Sequence, residues 1–249
     1  MLPNPPARSD SPIALFLDLD GTLVDIAARP ELVHAPEALL ELLDRAHEKL
    51  GGALAVVSGR SIADIDRILT PLRLPAVGIH GLEYRAHGRD PVQCDAPPLP
   101  ESLIGRVRDF AGQHAGLLPE FKGQTSIAIH FRAVPELEQV TSTFLGETLE
   151  NLGSDYTLQK GKMVLELRPA GATKGTGITQ LMAQPPFAGR RPVFIGDDVT
   201  DEDGFVAVNE AGGWSIRVGN PDGTTSARYE LADIKAVRNW IATLVHDTP

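Results

Sequence analysis

Short apolar runs alternate with helical patterns through the N-terminal third of the chain. Ile13 to Leu17, Ala53 to Val57 and Ala76 to Ile79 are runs of strand length, and between them Pro36 to Leu50 and Ser61 to Leu69 carry apolar residues at helical spacing. A strand buried on both faces needs no polar alternation, so these runs predict βαβ units: a parallel sheet with helices on both sides. From about Asp95 the pattern changes. An amphipathic helix (Leu103 to His114), an alternating strand (Thr125 to Phe131), a second helix (Glu136 to Leu152) and two strands (Tyr156 to Leu158, Met163 to Leu167) predict a separate α+β unit. After Arg168-Pro169 the first pattern resumes, with a helix at Lys174 to Ala183, a strand at Pro192 to Ile195, a helix at Asp201 to Asn209 and a strand at Trp214 to Val218. The expected organisation is therefore an interrupted α/β core, 1–92 and 169–249, with a lid inserted at 93–168.

Composition narrows the function. At 249 residues, 42% hydrophobic, the chain can bury one large core or two modest ones. Its net charge of -10, with no Lys/Arg run longer than Arg190-Arg191, argues against nucleic acid and anionic membranes as partners, so anionic ligands must be met by a metal or a few aimed cations. One cysteine, Cys94, cannot make an internal disulfide and suits the cytoplasm. Met1 to Pro12 lacks the apolar core of a signal peptide and reads as a loose tail, and no stretch has the length of a membrane span. A monomer acting on a small molecule is the expectation.

In an open parallel sheet, ligands bind beyond the carboxyl ends of the strands, and four loops there carry reactive groups. The first is Asp18-Leu19-Asp20-Gly21-Thr22: two carboxylates two residues apart share one side of an extended segment, and Gly21 lets the chain turn. Asp18 reads as a nucleophile for a phosphomonoester and Asp20 as the group that protonates the leaving oxygen and deprotonates water. Alone, the same tetrapeptide also reads as a turn with a helix cap. Ser58-Gly59-Arg60 offers a hydroxyl and turn amides to phosphate oxygens, or an ordinary N-cap. Lys174, in the first turn of a helix, opposes the macrodipole at a cost of roughly 0.3 to 1 kcal/mol, which an anion at the same place would offset. The P-loop pattern is absent there. The fourth loop, Gly196 to Gly204, packs five acids into seven positions and invites a cation. Mg2+ suits Asp18, the backbone carbonyl of Asp20, and Asp197, with Asp198 and Asp201 supporting them from behind. An EF-hand reading fails because Val199, at its first position, cannot ligate.

Asp18-x-Asp20-Gly21-Thr22, Ser58-Gly59-Arg60, Lys174 and Gly196-Asp197-Asp198-x-x-Asp201 occur in the order and spacing of the motifs of the haloacid-dehalogenase-like phosphatases. More closely, the chain resembles the trehalose-6-phosphate phosphatases over nearly its whole length, through Gly78-Ile79-His80-Gly81, Glu120-Phe121-Lys122-Gly123, His130-Phe131-Arg132, Val164 to Pro169 and Gly196 to Phe205. The resemblance implies a Rossmannoid core with a C2-type cap between the second and third motifs, and an aspartyl-phosphate mechanism. It also implies that Glu120, Lys122 and Glu166 hold the disaccharide, with Gly59, Arg60, His80, Gly81 and Arg132 among the substrate-binding residues. Other sugar-phosphate phosphatases, of the sucrose-phosphate or glycosyl-phosphoglycerate type, differ from this reading only in the cap. A catalytically silent sugar-phosphate-binding module is the alternative from another class, and the presence of every motif residue counts against it.

Overall fold

All five residues of the first strand, β1 (Ile13–Leu17), are buried, and successive side chains point to opposite sides, into two different cores. The computed structural model describes residues 2–7, 9–26, 32–94, 96–161, 163–219 and 224–245. They form two compact units, Met1–Gln93 with Ala172–Pro249, and Cys94–Gly171. The change of pattern at Asp95 falls on a position outside the described residues.

In chain order the first unit contains β1, α1 (Glu37–Lys49), β2 (Leu54–Val57), α2 (Ile62–Ile68), β3 (Ala76–Gly78), β4 (Glu83–Arg85) and the Gln93 end of β5 (Gln93–Cys94). The second contains α3 (Glu101–Gln113), β6 (Leu118–Lys122), β7 (Ser126–His130), α4 (Glu138–Leu152), β8 (Tyr156–Gly161) and β9 (Val164–Pro169). The first unit then resumes with α5 (Lys174–Met182), β10 (Arg191–Gly196), α6 (Glu202–Glu210), β11 (Trp214–Val218), β12 (Tyr229–Leu231) and α7 (Ile234–Val245).

The large sheet runs β12-β11-β10-β1-β2-β3-β4-β5, parallel from β12 to β3 and antiparallel between β3 and β4. On one face Leu15, Leu17, Val56 and Ile195 pack with Leu43 of α1, Ile65 of α2 and Trp240 of α7. On the other, Phe16, Val57 and Phe194 pack with Leu181 of α5 and Phe205 of α6. Each such side chain stabilises the fold by about 1.5–3 kcal/mol when fully buried. The consequence for function lies at the strand ends. Leu17 is in register with Ile195 on one side and Val56 on the other, so the loops after β10, β1 and β2 leave the sheet side by side.

The smaller sheet has the order β6-β7-β9-β8, all antiparallel. Ile127, Ile129, Leu165 and Leu167 bury one of its faces against Leu103 and Val107 of α3 and Leu145 of α4. Alternation then turns Glu120, Lys122, Ser126, Ala128, His130, Glu166 and Gln159 to the opposite face.

β4, β5, β6, β12 and α7 go beyond the elements the pattern predicted. β4, β5 and β12 span two or three residues, too short to display a period, whereas α7 does carry apolar residues at helical spacing in Val237, Trp240 and Ile241. The expected loose tail is also corrected. Met1 and Arg8 are outside the described residues, but Pro3 O accepts from Glu230 N–H at 3.1 Å, Pro6 O from Trp240 Nε1 at 3.0 Å, and Pro12 O from Arg191 N–H at 2.9 Å. Proline carbonyls remain acceptors although the residue lacks a donor, and these three tie the segment down. Among the described residues no helix is long and apolar enough to cross a membrane.

Candidate active site

Asp18 is the first residue past β1, and its N–H donates to Ile195 O of β10 at 2.9 Å, which fixes the start of the loop against the neighbouring strand. Its carboxylate faces Lys174, whose Nζ donates to Asp18 Oδ1 at 2.7 Å and to Asp201 Oδ1 at 2.6 Å. All three are buried, with exposures of 4%, 3% and 0%. Lys174 opens α5 behind Thr173, which caps the helix by accepting from Thr176 N–H. The ammonium therefore stays in a first turn, against the dipole, because two carboxylates hold it.

Asp201 has a second task. Its Oδ2 accepts the N–H groups of Asp197 and Asp198, each at 3.0 Å, so one buried carboxylate shapes the acidic loop and holds the lysine. Asp198 accepts from Val199 N–H at 2.7 Å and caps the short turn that follows. Substituting Asp201 by Ala would leave two loop amides without this acceptor and Lys174 with Asp18 alone. The expected loss of unfolding free energy is about 3–5 kcal/mol, read as a lower urea midpoint; a wild-type midpoint would show that the network adds nothing to stability.

Gly21 connects the first and fourth loops. It adopts φ +81°, and a Cβ there would lie 2.2 Å from Asp197 Oδ2, so a side chain is excluded both by backbone conformation and by the carboxylate it would strike. Thr22 Oγ1 donates to Asp197 Oδ1 at 3.4 Å. One ammonium thus faces a group of three carboxylates. Burial pushes the Asp18 carboxyl well above the usual range, an effect opposed by Lys174 and reinforced by Asp201 and Asp197. Burial, with Asp201 and Asp198 adding to it, pushes Asp197 to about 6. Lys174 is raised as well, because the two carboxylates outweigh its own desolvation, and for an amine that rise favours the charged form.

Asp18, Asp197 and Asp201 each present a carboxylate oxygen within 4.8 Å of the others. Asp201 already accepts at both oxygens, which leaves Asp18 and Asp197 as the carboxylates able to hold a cation. An all-oxygen donor set with surplus negative charge fits a hard divalent ion.

The second loop is built by backbone contacts. Arg60 N–H donates to Ser58 Oγ at 3.1 Å, Ser58 N–H to Val77 O, Ile79 N–H to Arg60 O and His80 N–H to Ser58 O. Ile79, His80 and Gly81 all have positive φ, a run that L residues adopt only under constraint. The turn it makes brings His80 Nε2 to 2.4 Å from where a Gly59 Cβ would be, and the Gly81 backbone against Thr173 O. Gly81 is therefore required for close approach to the Thr173 backbone, a side chain at Gly59 would displace the His80 ring, and the third and second loops touch through this turn. Glu83 Oε2 accepts the Ile62 N–H at 2.7 Å and holds the entry of α2; burial raises its pKa. The sequence reading missed Glu83, for which only its position after Gly81 was a signal.

Arg60 does not project alone toward a ligand. Its Nε and Nη2 donate to Asp20 Oδ2 and Oδ1 at 2.6 and 2.8 Å, a two-point fork on the residue expected to move protons. The two aspartates of the first loop therefore have different partners: Asp18 meets Lys174, and Asp20 meets Arg60.

In the second unit Lys122 Nζ donates to Glu166 Oε2 at 2.6 Å, and Glu120 Oε2 lies 2.8 Å from His130 Nε2. Glu120, Lys122 and Glu166 thus share the polar face of the small sheet, and His130 joins them as a partner of Glu120. Arg132 is exposed past the end of β7 and takes part in neither pair.

Buried carboxylates, an ammonium and an amide-lined loop gathered at the strand ends of a doubly wound sheet place the chain in fold among the haloacid-dehalogenase-like phosphatases. The sequence profile of the trehalose-phosphatase family matches residues 16–235, and the chain belongs to that family. It is 41% identical over 232 residues to a probable trehalose-phosphate phosphatase of Sinorhizobium fredii, covering 93% of this chain and 87% of that one. It is 37% identical over 229 residues to the trehalose-6-phosphate phosphatase of Escherichia coli, covering 92% and 85%. A crystal structure of a trehalose-6-phosphate phosphatase related protein superposes with a TM-score of 0.77 at 25% identity, covering 94% of this chain and 96% of that one.

Proposed function

We propose that the protein hydrolyses trehalose 6-phosphate to trehalose and phosphate through a phosphoryl group carried on Asp18. The observation that carries this reading is the placement of Asp18: buried at the end of a central strand, with Oδ1 bonded to Lys174 and Asp197 beside it. The bond to Lys174 leaves Oδ2 to attack phosphorus, while the ammonium offsets charge on the phosphate oxygens. The new Asp18–phosphorus bond replaces the bond to the sugar oxygen, which takes its proton from Asp20. Water, giving its proton back to Asp20, then displaces Asp18 and frees phosphate. Both Asp20 oxygens accept from Arg60, so Asp20 must part from Arg60 and carry a proton taken from solvent before it donates to the sugar oxygen. The Ser58 hydroxyl and the Gly59 amide suit phosphate oxygens, while the Arg60 amide donates to Ser58 Oγ and holds that hydroxyl in the loop.

Asp18, Asp197 and the backbone carbonyl of Asp20 would hold Mg2+, which supplies charge neutralisation at the phosphate. The sugar is held by Glu120, Lys122 and Glu166, whose carboxylates and ammonium hydrogen-bond hydroxyls. We further propose a cytoplasmic location, which the exposed single cysteine Cys94 supports, and a monomeric state.

Phosphate release from trehalose 6-phosphate, sucrose 6-phosphate and glucose 6-phosphate, with Mg2+ or EDTA, tests the proposal. Trehalose 6-phosphate with Mg2+ is expected to be the best combination and EDTA to abolish release; a poor rank for trehalose 6-phosphate would falsify the substrate assignment.

Metal binding is also expected to depend on pH. Asp197 titrates near 6 in the folded chain without metal and near its ordinary 3.8 when unfolded. The metal-free fold therefore binds the extra proton between these values and loses stability as pH rises through about 6. Mg2+ needs the ionised carboxylate, so its stabilisation grows over the same window. Thermal shifts induced by Mg2+ should be larger at pH 7.5 than at pH 5; equal shifts would exclude Asp197 as a ligand.

A further inference from the structure

The polar face of the small sheet is ordered in rows. Glu120 of β6 stands opposite Ala128 of β7, Ala128 opposite Glu166 of β9, and Glu166 opposite Gln159 of β8. One line of residues thus crosses all four strands on the face turned away from α3 and α4. Its length is three strand spacings, about 14 Å, which exceeds a single pyranose ring and matches two joined rings.

The row also contains polar atoms whose hydrogen bonds are unmade. Among the described residues, Gln159 Oε1 and Glu166 Oε1 are buried and without a partner, although the other oxygen of Glu166 accepts from Lys122. Ser126 Oγ, on the same face one row away, is in the same condition. A buried acceptor left empty costs about 1–3 kcal/mol, and neighbouring groups in that state on one face of one sheet are satisfied together by a ligand rich in hydroxyl donors. The opposite face of the same sheet is filled by the apolar cluster with α3 and α4, so the empty acceptors lie on the polar face that carries Glu120, Lys122 and Glu166.

We propose that Gln159 is a further specificity-determining residue, accepting a hydroxyl of one glucose ring while Glu120, at the other end of the row, reads the other ring. This rests on the trehalose-phosphatase reading and deepens it. The family-like segments contain Glu120, Lys122 and Glu166 but do not include Gln159, which lies in the preceding strand. A one-ring phosphate cannot engage both ends of the row, so Gln159 makes the enzyme prefer a disaccharide to a monosaccharide phosphate. Ala128, between the two carboxylates, keeps the middle of the row free of a competing side chain.

The test compares kcat/KM for trehalose 6-phosphate and glucose 6-phosphate in wild type, Gln159→Ala and Gln159→Met. Methionine conserves the volume and removes the acceptor. Both variants are expected to lower the ratio of the two values about tenfold, the equivalent of one hydrogen bond, mainly through KM for the disaccharide. If Gln159→Met keeps the wild-type ratio, the side chain only fills space and the proposal is overturned. A second measurement varies the substrate: among trehalose 6-phosphate analogues lacking single hydroxyls, one should lose about tenfold with wild type and nothing more with Gln159→Met. Wild-type tolerance of every deoxy analogue would equally overturn it. Should wild type itself treat the two phosphates alike, the trehalose-phosphatase reading fails instead, whatever Gln159 does.

Discussion

Asp18→Asn is expected to release no phosphate from any phosphomonoester, a loss on the order of ten-thousandfold or more in kcat, as for removal of other enzymatic nucleophiles. An amide oxygen is too poor a nucleophile to displace the sugar oxygen. The same substitution should leave the fold intact. Asn can still accept from Lys174 through its amide oxygen, and Asp201 keeps its own bond to the ammonium. It also removes one of the crowded carboxylates whose burial raises the pKa of Asp18, so the metal-free variant is expected to unfold at the same or a higher urea concentration than wild type. An inactive and stable protein distinguishes loss of chemistry from loss of structure. Normal turnover by Asp18→Asn, in purified protein with the substitution verified by mass, would remove Asp18 from the reaction and the mechanism with it.

Glu120→Ala carries the second large effect. Its carboxylate pairs with His130 and ends the row that crosses the small sheet, far along the chain from the reacting aspartate. A hydrogen bond from a sugar hydroxyl to a charged group contributes about 1.5–3 kcal/mol, so kcat/KM for trehalose 6-phosphate should fall about tenfold to a hundredfold. A small phosphoester such as p-nitrophenyl phosphate offers no hydroxyl to Glu120 and should retain most of its slow hydrolysis. Equal losses on both compounds would mean that Glu120 supports the enzyme's structure and does not read the sugar.

Much of the core was legible in the chain because the relevant signals are local. The buried strands announce themselves as continuous apolar runs, as in Ile13 to Leu17, and each is followed at once by its reactive loop. Once parallel strands are inferred, the side-by-side exit of those loops follows from sheet geometry. The docked N-terminal segment was not legible, since proline carbonyls carry no mark of the donors they will meet. The fork between Arg60 and Asp20 was hidden for a related reason: an arginine near a phosphate loop and one paired to an aspartate 40 positions away look alike until the chain is folded.

By itself the sequence determined the kinds of groups available and their order: an aspartate pair, a hydroxyl loop, a lysine opening a helix, an acidic loop, and an inserted α+β stretch rich in charged residues. Only the tertiary structure decided their partners. Lys174 reaches Asp18 across 156 positions and Asp201 across 27, and Asp201 turns out to brace the loop that carries Asp197. Gln159 became meaningful only when strand register set it opposite Glu166. The physical reason is that periodicity and turn chemistry act over a few residues, whereas pairing of charges and satisfaction of buried acceptors depend on which distant strands the packed core brings together.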